Sequence, residues 1–541
     1  MKATASAPQP LLWVNHDAKN RKARPHRRAV FSHVQSSWKK WRRKEDSLGL
    51  MKSAKIPNPR LVETLQPQPR GGSLLELESD NYPREDCKTR DKLRAMGTLV
   101  HPQTILGKGN SDPFQAFAIS IDAPMADLLR YSKEKYLPEI FSHVQAQDIG
   151  GAVTRAFTET ITFLHNESTG YPQIAKIAAV IPKGSISPEL MSQMPMLKMK
   201  GLALLRKKLT KPHLIVDPKT SASMLLFLTA ELYEGNLEAV SYHARMIAHL
   251  LQTGIIPLDF LFLFSAMYDD TQRASFTLSR PSFDVRTWVP QQLGSAEFTN
   301  KVLGQIIADA CGPVDVSMKS LSMRAIIMEA NHCSAIALLM LASKDRIYTD
   351  NQTTFRFGCR RLACIGTIIN HYVDSRETMK RSKNDLNTLR YARMEAQICL
   401  ALLYLMRREA KMDSFWIGAK FAVFSENSNI LLSLQDLLRQ DGWNGEARYA
   451  RVELFVLFVG AWAAYANARA GATYALVEKE WFHDKFTAQV QSMRLRSWRA
   501  VKKVLLGFHF LELLEPDGST FWKMMGPSEA QGIETVPTRS E

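Results

Sequence analysis

From Asp112 to about residue 525, apolar side chains recur at helical spacing and period-two alternation is scarce, so the pattern predicts an all-α body. The clearest stretch runs from Ser223 to Ile256. Met224, Leu225, Leu228 and Leu232 line one helix; Gly235 breaks it, Asn236 caps the next, and Leu237, Val240, Ala244, Ile247 and Leu251 continue the stripe. Gly254 then stops the second helix and Pro257 prevents its resumption, which makes an αα-hairpin. Long helical patterns recur at MRAIIMEANHCSAIALLMLAS, YARMEAQICLALLYLMRREAK, ARVELFVLFVGAWAAYANARAGA and SWRAVKKVLLGFHFLELL. No fixed repeat period links them, so the expectation is an irregular multi-helix domain over 111–525 built of αα-hairpins, with a frayed tail over 526–541. The longest apolar run, Leu454 to Ala466, is bounded by Glu453 and Asn467. It falls well short of the roughly 20 residues that span a bilayer, so it predicts a buried helix and no transmembrane segment.

The first 110 residues have another texture. Basic, Pro-rich and Gly-rich stretches alternate with few apolar clusters, the pattern of a largely disordered arm. One local exception is Phe31, Val34, Trp38 and Trp41, spaced three, four and three apart, which predicts a short amphipathic helix over about 27–45.

Composition then separates the two regions electrically. The chain of 541 residues is 45% apolar and 23% charged, ordinary for a folded protein, with a net charge of +17. Its first sixty residues hold fifteen basic and three acidic side chains, so +12 of that charge is local. Between Lys19 and Lys44 there are eleven Lys or Arg and no Asp or Glu. Such a segment on a nearly neutral body points to a polyanionic partner: nucleic acid, an anionic membrane surface or a nuclear import receptor.

The candidate contact residues are Arg21, Lys22, Arg24, Arg27, Arg28, Lys39, Lys40, Arg42, Arg43 and Lys44, with Trp38 and Trp41 for stacking or apolar contact. Two clusters, RKARPHRR and KKWRRK, stand ten residues apart, as in a two-part import signal. The amphipathic seam would also suit a calmodulin-like groove, and the bland alternative is a solvated tail whose Trp rings dock on the protein's own body.

Other chemistry is sparse. The six cysteines are scattered and fit no disulfide framework, and no apolar run after Lys2 marks a secretory signal. Cys359 and Cys364, or His332 beside Cys333, do not make a zinc spacing, and His243 and His249 fall on opposite faces of one helix. The glycosylation-type triplets at Asn166 and Asn351 read as chance matches. LGKGNSD lacks the phosphate-loop spacing, and the Met191 to Met199 cluster reads as a surface loop. Asp269 and Asp270, being adjacent, point in different directions; with Arg273 and Arg280 they predict a salt-linked helix end, not an acid/base pair. No catalytic residue, metal or cofactor is expected, and an enzyme would need a deep pocket with converging titratable groups.

Several of these segments, in order, resemble the fungal-specific transcription-factor domain family. Ala230, Glu231, Gly235, Asn236, Ala239, His243, Leu251 and Gly254 resemble its helical hairpin; Arg280, Pro281, Phe283 and Trp288 resemble its Arg-Pro loop. ICLALLYLMR and ELFVLFVGAWAA are similar to its later core helices, and EKEWFHDKF and SWRAVKKVLLGFHF to its closing ones. DPFQAFAISIDAPMADLLRYSKEKYLP is similar to the entry of the helical domain. LLWVNHDAKNRKARPHRRAVFSHVQSSWKKWRRK resembles the opening of a large branch, often labelled tachykinin family protein, in which this basic segment replaces the zinc module. The likeness covers about three quarters of the chain. It implies a nuclear, non-enzymatic transcription regulator whose helical domain makes regulatory or protein contacts and whose arm serves import or nonspecific DNA contact. Residues 1–86 hold no cysteine, so zinc-dependent DNA recognition does not carry over. The alternative is a helical interaction scaffold with no nucleic-acid role.

Overall fold

A computed structural model describes residues 117–140, 149–294, 313–342, 351–382, 384–408, 428–440, 449–469, 479–510 and 518–525. The basic arm, its helix over 27–45 and the tail over 526–541 lie outside the described residues.

Every regular element among the described residues is helical, so the body is all-α. Helix α1 (Ala123–Tyr131) passes through a π-helical turn at Ser132–Tyr136 into α2 (Leu137–Ile140). There follow α3 (Ile149–Leu164), α4 (Glu167–Val180), α5 (Pro188–Leu209), α6 (Pro212–Ile215), α7 (Pro218–Glu234), α8 (Leu237–Gln252) and α9 (Phe260–Thr277). The second half comprises α10 (Trp288–Leu293), α11 (Leu321–Ala342), α12 (Asn351–Arg381), α13 (Leu386–Arg408), α14 (Ser428–Gln440), α15 (Ala450–Arg469), α16 (Lys479–Ser492), α17 (Trp498–Leu505) and α18 (Gly518–Met525).

Local chemistry sets these boundaries. The α7/α8 hairpin forms as its sequence predicts: Gly235 takes a left-handed conformation at φ 78°, open to glycine at little cost, and the Asn236 side chain accepts from the Ala239 amide. Glu231, buried on α7, accepts from the Asn236 side-chain amide at 2.7 Å and pairs with Lys198 of α5 at 2.7 Å, tying the turn to its neighbour. Asn166, the first glycosylation-type asparagine, is the N-cap of α4 and accepts from the Ser168 amide at 3.0 Å. The methionine cluster departs from expectation. Met191 to Met199 lie on α5, a continuous helix through Pro195, with Met194 buried and Met191, Met196 and Met199 exposed. Pro188 and the Ser187 cap start the helix early enough to enclose them.

Packing has two textures. In the first half α4 packs against α3, α5 and α7, and α9 lies on α7, α8 and α12. Here ionic groups are buried among the helices. Asp270 is fully buried and accepts from Arg273 at 3.0 Å and from the Ser282 hydroxyl at 3.0 Å and amide; Arg273 also donates to the Ser279 hydroxyl at 2.9 Å and the Arg280 carbonyl at 2.8 Å. The expected salt link near the end of α9 is therefore present, but it is buried and it staples the following loop over 279–282. Asp269 points elsewhere, as adjacent helical residues must.

In the second half a stretch of α13 and a stretch of α15 are apolar on all sides. Every residue of α13 from Ile398 to Met406 is buried, as is the α15 run from Leu454 to Ala466. Phe458 gathers Phe486, Trp498, Phe510 and Phe521, with ring centroids 5.6–6.0 Å apart, from α16, α17, the segment that follows it, and α18. No helix among the described residues is long and apolar enough to cross a membrane.

Candidate functional site

The arm residues singled out from the sequence, Arg21, Lys22, Arg24, Arg27, Arg28, Lys39, Lys40, Arg42, Arg43, Lys44, Trp38 and Trp41, all lie outside the described residues. Within them a groove of about 930 Å³ lies between α10, α11, α12 and the loop over 279–287.

The helix α12 forms its floor. Arg356, Arg360, Ala363, Thr367, His371 and Asp374 succeed one another at spacings of four, three, four, four and three, which places them on one face. At 1.5 Å per residue this face is about 27 Å long. One wall comes from α11, with Ser322, Ala325, Ile326 and Glu329; the other from Val285, Pro290 and Leu293. That second wall is held by the buried Asp270–Arg273 network at the start of its loop and by Asp284 at its end. Asp284 accepts from the Arg286 amide at 3.1 Å and the Thr287 amide at 3.0 Å, which ties the turn that leads into α10. Partial burial pushes its carboxyl up, but the hydrogen bonds from Thr287 and its neighbours prevail and hold it below the usual carboxylate range.

The polar groups of the groove are largely paired. Arg360 grips Glu329 with two bonds, Nε to Oε1 at 2.7 Å and an Nη to Oε2 at 2.9 Å, and the carboxylate bond raises the guanidinium's affinity for its proton. Asp374 pairs with Arg286 and with Arg280, the latter at 2.7 Å; desolvation opposes its ionisation, and the two guanidinium groups overcome that and lower its pKa. His371 Nε2 sits 3.1 Å from Glu395. Cys333 and Cys364 form a buried thiol pair beside Glu329, and the hydrogen bond with Cys364, then burial, keep the Cys333 thiol protonated.

Arg356 differs from these. Its guanidinium lies 4.6 Å from the centroid of the Phe260 ring, its Nε is buried without a hydrogen-bond partner, and among the described residues no carboxylate or carbonyl accepts from it.

A second cluster lies away from the groove. The Thr229 hydroxyl, with a single proton, stands 2.6 Å from Asp269 Oδ2 and 3.1 Å from the Leu225 carbonyl. Burial raises the Asp269 pKa to about 7 against the opposing Thr229 bond and the Lys176 charge. Burial likewise lowers the Lys176 pKa, which Asp269 and Glu159 partly offset.

Among the described residues both carboxylates of the groove are in ion pairs with arginine, and no serine or cysteine lining it stands hydrogen-bonded to a histidine. Among the described residues no group of three His, Cys, Asp or Glu could hold a metal ion. His243, singled out in the hairpin, is stacked on Phe227 at 6.1 Å, and His249 is exposed on another face.

No family model, curated protein or solved structure matches the chain. The groove residues were not singled out from the sequence, although one signal was there: the α12 stripe with arginines at one end, small residues in the middle and His371 and Asp374 at the other.

Proposed function

We propose that this chain is a nuclear, non-enzymatic regulator of the fungal transcription-factor-like kind. Its helical body makes regulatory and protein contacts, and its basic arm serves nuclear import and nonspecific DNA contact. The observation that carries this reading is the charge segregation: +12 of the net +17 sits in the first sixty residues, with eleven basic and no acidic side chains between Lys19 and Lys44. A cationic segment of that density gains free energy on a polyanion through counter-ion release. The ordered likeness of the hairpin, the Arg-Pro loop and the closing helices to that family supports the same reading, and so does a groove whose carboxylates are ion-paired.

Genome-wide crosslinking and microscopy of the tagged full chain, with and without residues 19–44, test it. The intact chain is expected in the nucleus, retained on chromatin in a steeply salt-sensitive way, and the deletion is expected to lose both. Unchanged location and retention after the deletion overturn the reading. Salt-insensitive association with a protein or a vesicle instead marks the chain as an interaction scaffold.

A further inference from the structure

We propose that the groove along α12 binds an elongated apolar monocarboxylate, a straight-chain aliphatic acid, with its carboxylate on Arg356 and its chain laid along the small-residue middle of the groove. Charge carries the first part. The described lining holds three arginines and two carboxylates; Glu329 pairs with Arg360 and Asp374 with Arg286, so among the described residues Arg356 is left without a carboxylate partner. Its guanidinium carbon lies over the Phe260 ring, 4.6 Å from the centroid, a cation–π contact that occupies no N–H donor. The two oxygens of a carboxylate match the planar fork of a guanidinium.

Shape carries the second part. A volume of about 930 Å³ spread along about 27 Å of helix accommodates a chain better than a compact molecule. Ala363 and Thr367 leave room on the floor, and Ile326, Leu293 and Val285 give apolar walls. At the far end Asp374 bridges Arg286 and Arg280, and Glu377 also pairs with Arg280, so among the described residues the tail of the chain meets arginines that already have carboxylate partners. A polyphosphate would need several free cations, and among the described residues the groove offers one. This ligand chemistry does not depend on whether the arm touches DNA.

The test is titration calorimetry of the full chain with dodecanoate below its micelle concentration, beside dodecanol and dodecyltrimethylammonium as neutral and cationic chains of equal length. One saturable dodecanoate site is expected, with dodecanol at least tenfold weaker and the cation weaker still. Arg356→Gln is expected to weaken dodecanoate tenfold or more while leaving dodecanol unchanged. Ala325→Trp, at an exposed position on the α11 wall, narrows the groove without touching the charge and is expected to weaken both. Equal affinity for dodecanoate and dodecanol, wild-type affinity in Arg356→Gln, or uptake that does not saturate overturns the proposal. If Arg356→Gln loses its helical circular dichroism, Ala325→Trp decides, and unchanged binding there overturns the location.

Discussion

The packing of α4, α7 and α9 and the packing of α13 and α15 bury helices by different means. In the first, charged and hydroxyl groups are enclosed in ion pairs and hydrogen bonds; in the second, aliphatic and aromatic side chains fill space with little polar content. Directional bonds tolerate little displacement, whereas apolar contact is non-directional and cares chiefly about volume. The polar half therefore specifies where a loop runs, and the apolar half supplies bulk stability. The groove draws on both. Its wall over 279–287 is placed by Asp270 and Arg273, and its floor, α12, is backed by α13.

The largest effects should come from breaking each kind of core at its centre. Trp462→Ala removes a fully buried ring and should cost about 3–5 kcal/mol in urea denaturation. Arg273→Ala strands the buried Asp270 carboxylate and should cost a similar amount, roughly 3–5 kcal/mol. The two should differ in the groove. Arg273→Ala, which frees the loop, should also weaken dodecanoate binding, whereas folded Trp462→Ala protein should bind normally; equal effects on the groove would erase the distinction drawn here. Replacing Asp270 and Arg273 together by apolar residues should not restore stability, because Ser282 and the Arg280 carbonyl lose their partners as well.

The next effect is one of pH. Asp269 has a folded pKa of about 7, above its ordinary value of 3.8, so the folded state retains a proton that the unfolded chain releases between those two values. Stability falls as pH rises through that window and is flat above it, the reverse of an ion-paired carboxylate such as Asp374. Asp269→Asn lacks this loss. Relative to wild type it should gain roughly 2–4 kcal/mol between pH 4.5 and pH 8, read from urea midpoints. Parallel curves for the two proteins would remove the protonated carboxyl from the polar core.

Smaller still, Gly460→Ala puts a methyl group into the Phe482 ring, where α15 and α16 approach closely. Overpacking of about 1–3 kcal/mol should outweigh the roughly 1 kcal/mol that alanine gains in helix propensity. At the end of the scale Arg280→Ala, on a side chain about two-fifths exposed, should cost under about 1 kcal/mol despite its two ion pairs.

Much of the helical body was legible residue by residue. Gly235, Asn236 and Gly254 announce the hairpin because their signals are local, and the run from Leu454 to Ala466 announces a buried helix because no polar face interrupts it. The methionines of α5 were read as a surface loop, whereas Pro188 and the Ser187 cap begin a helix that continues through Pro195. Asp269 and Asp270 were recognised as divergent, but their burial was not, since it depends on α7 and on the loop after α9. The groove was the least legible part. Arg356, Arg360 and Glu329 are ordinary charges in a sequence where partners 31 positions apart cannot be seen to meet.

By itself the sequence determined the helical class, the hairpin turns, the apolar central helices and the concentration of positive charge before residue 60. Each follows from short-range periodicity, capping or composition, which need no knowledge of distant contacts. Only the tertiary structure decided which charges are spent on one another and which is left over. Pairing is a matter of distance between helices: among the described residues it takes Arg360 and Arg286 out of play and leaves Arg356 over the Phe260 ring, facing a groove that no local pattern encloses.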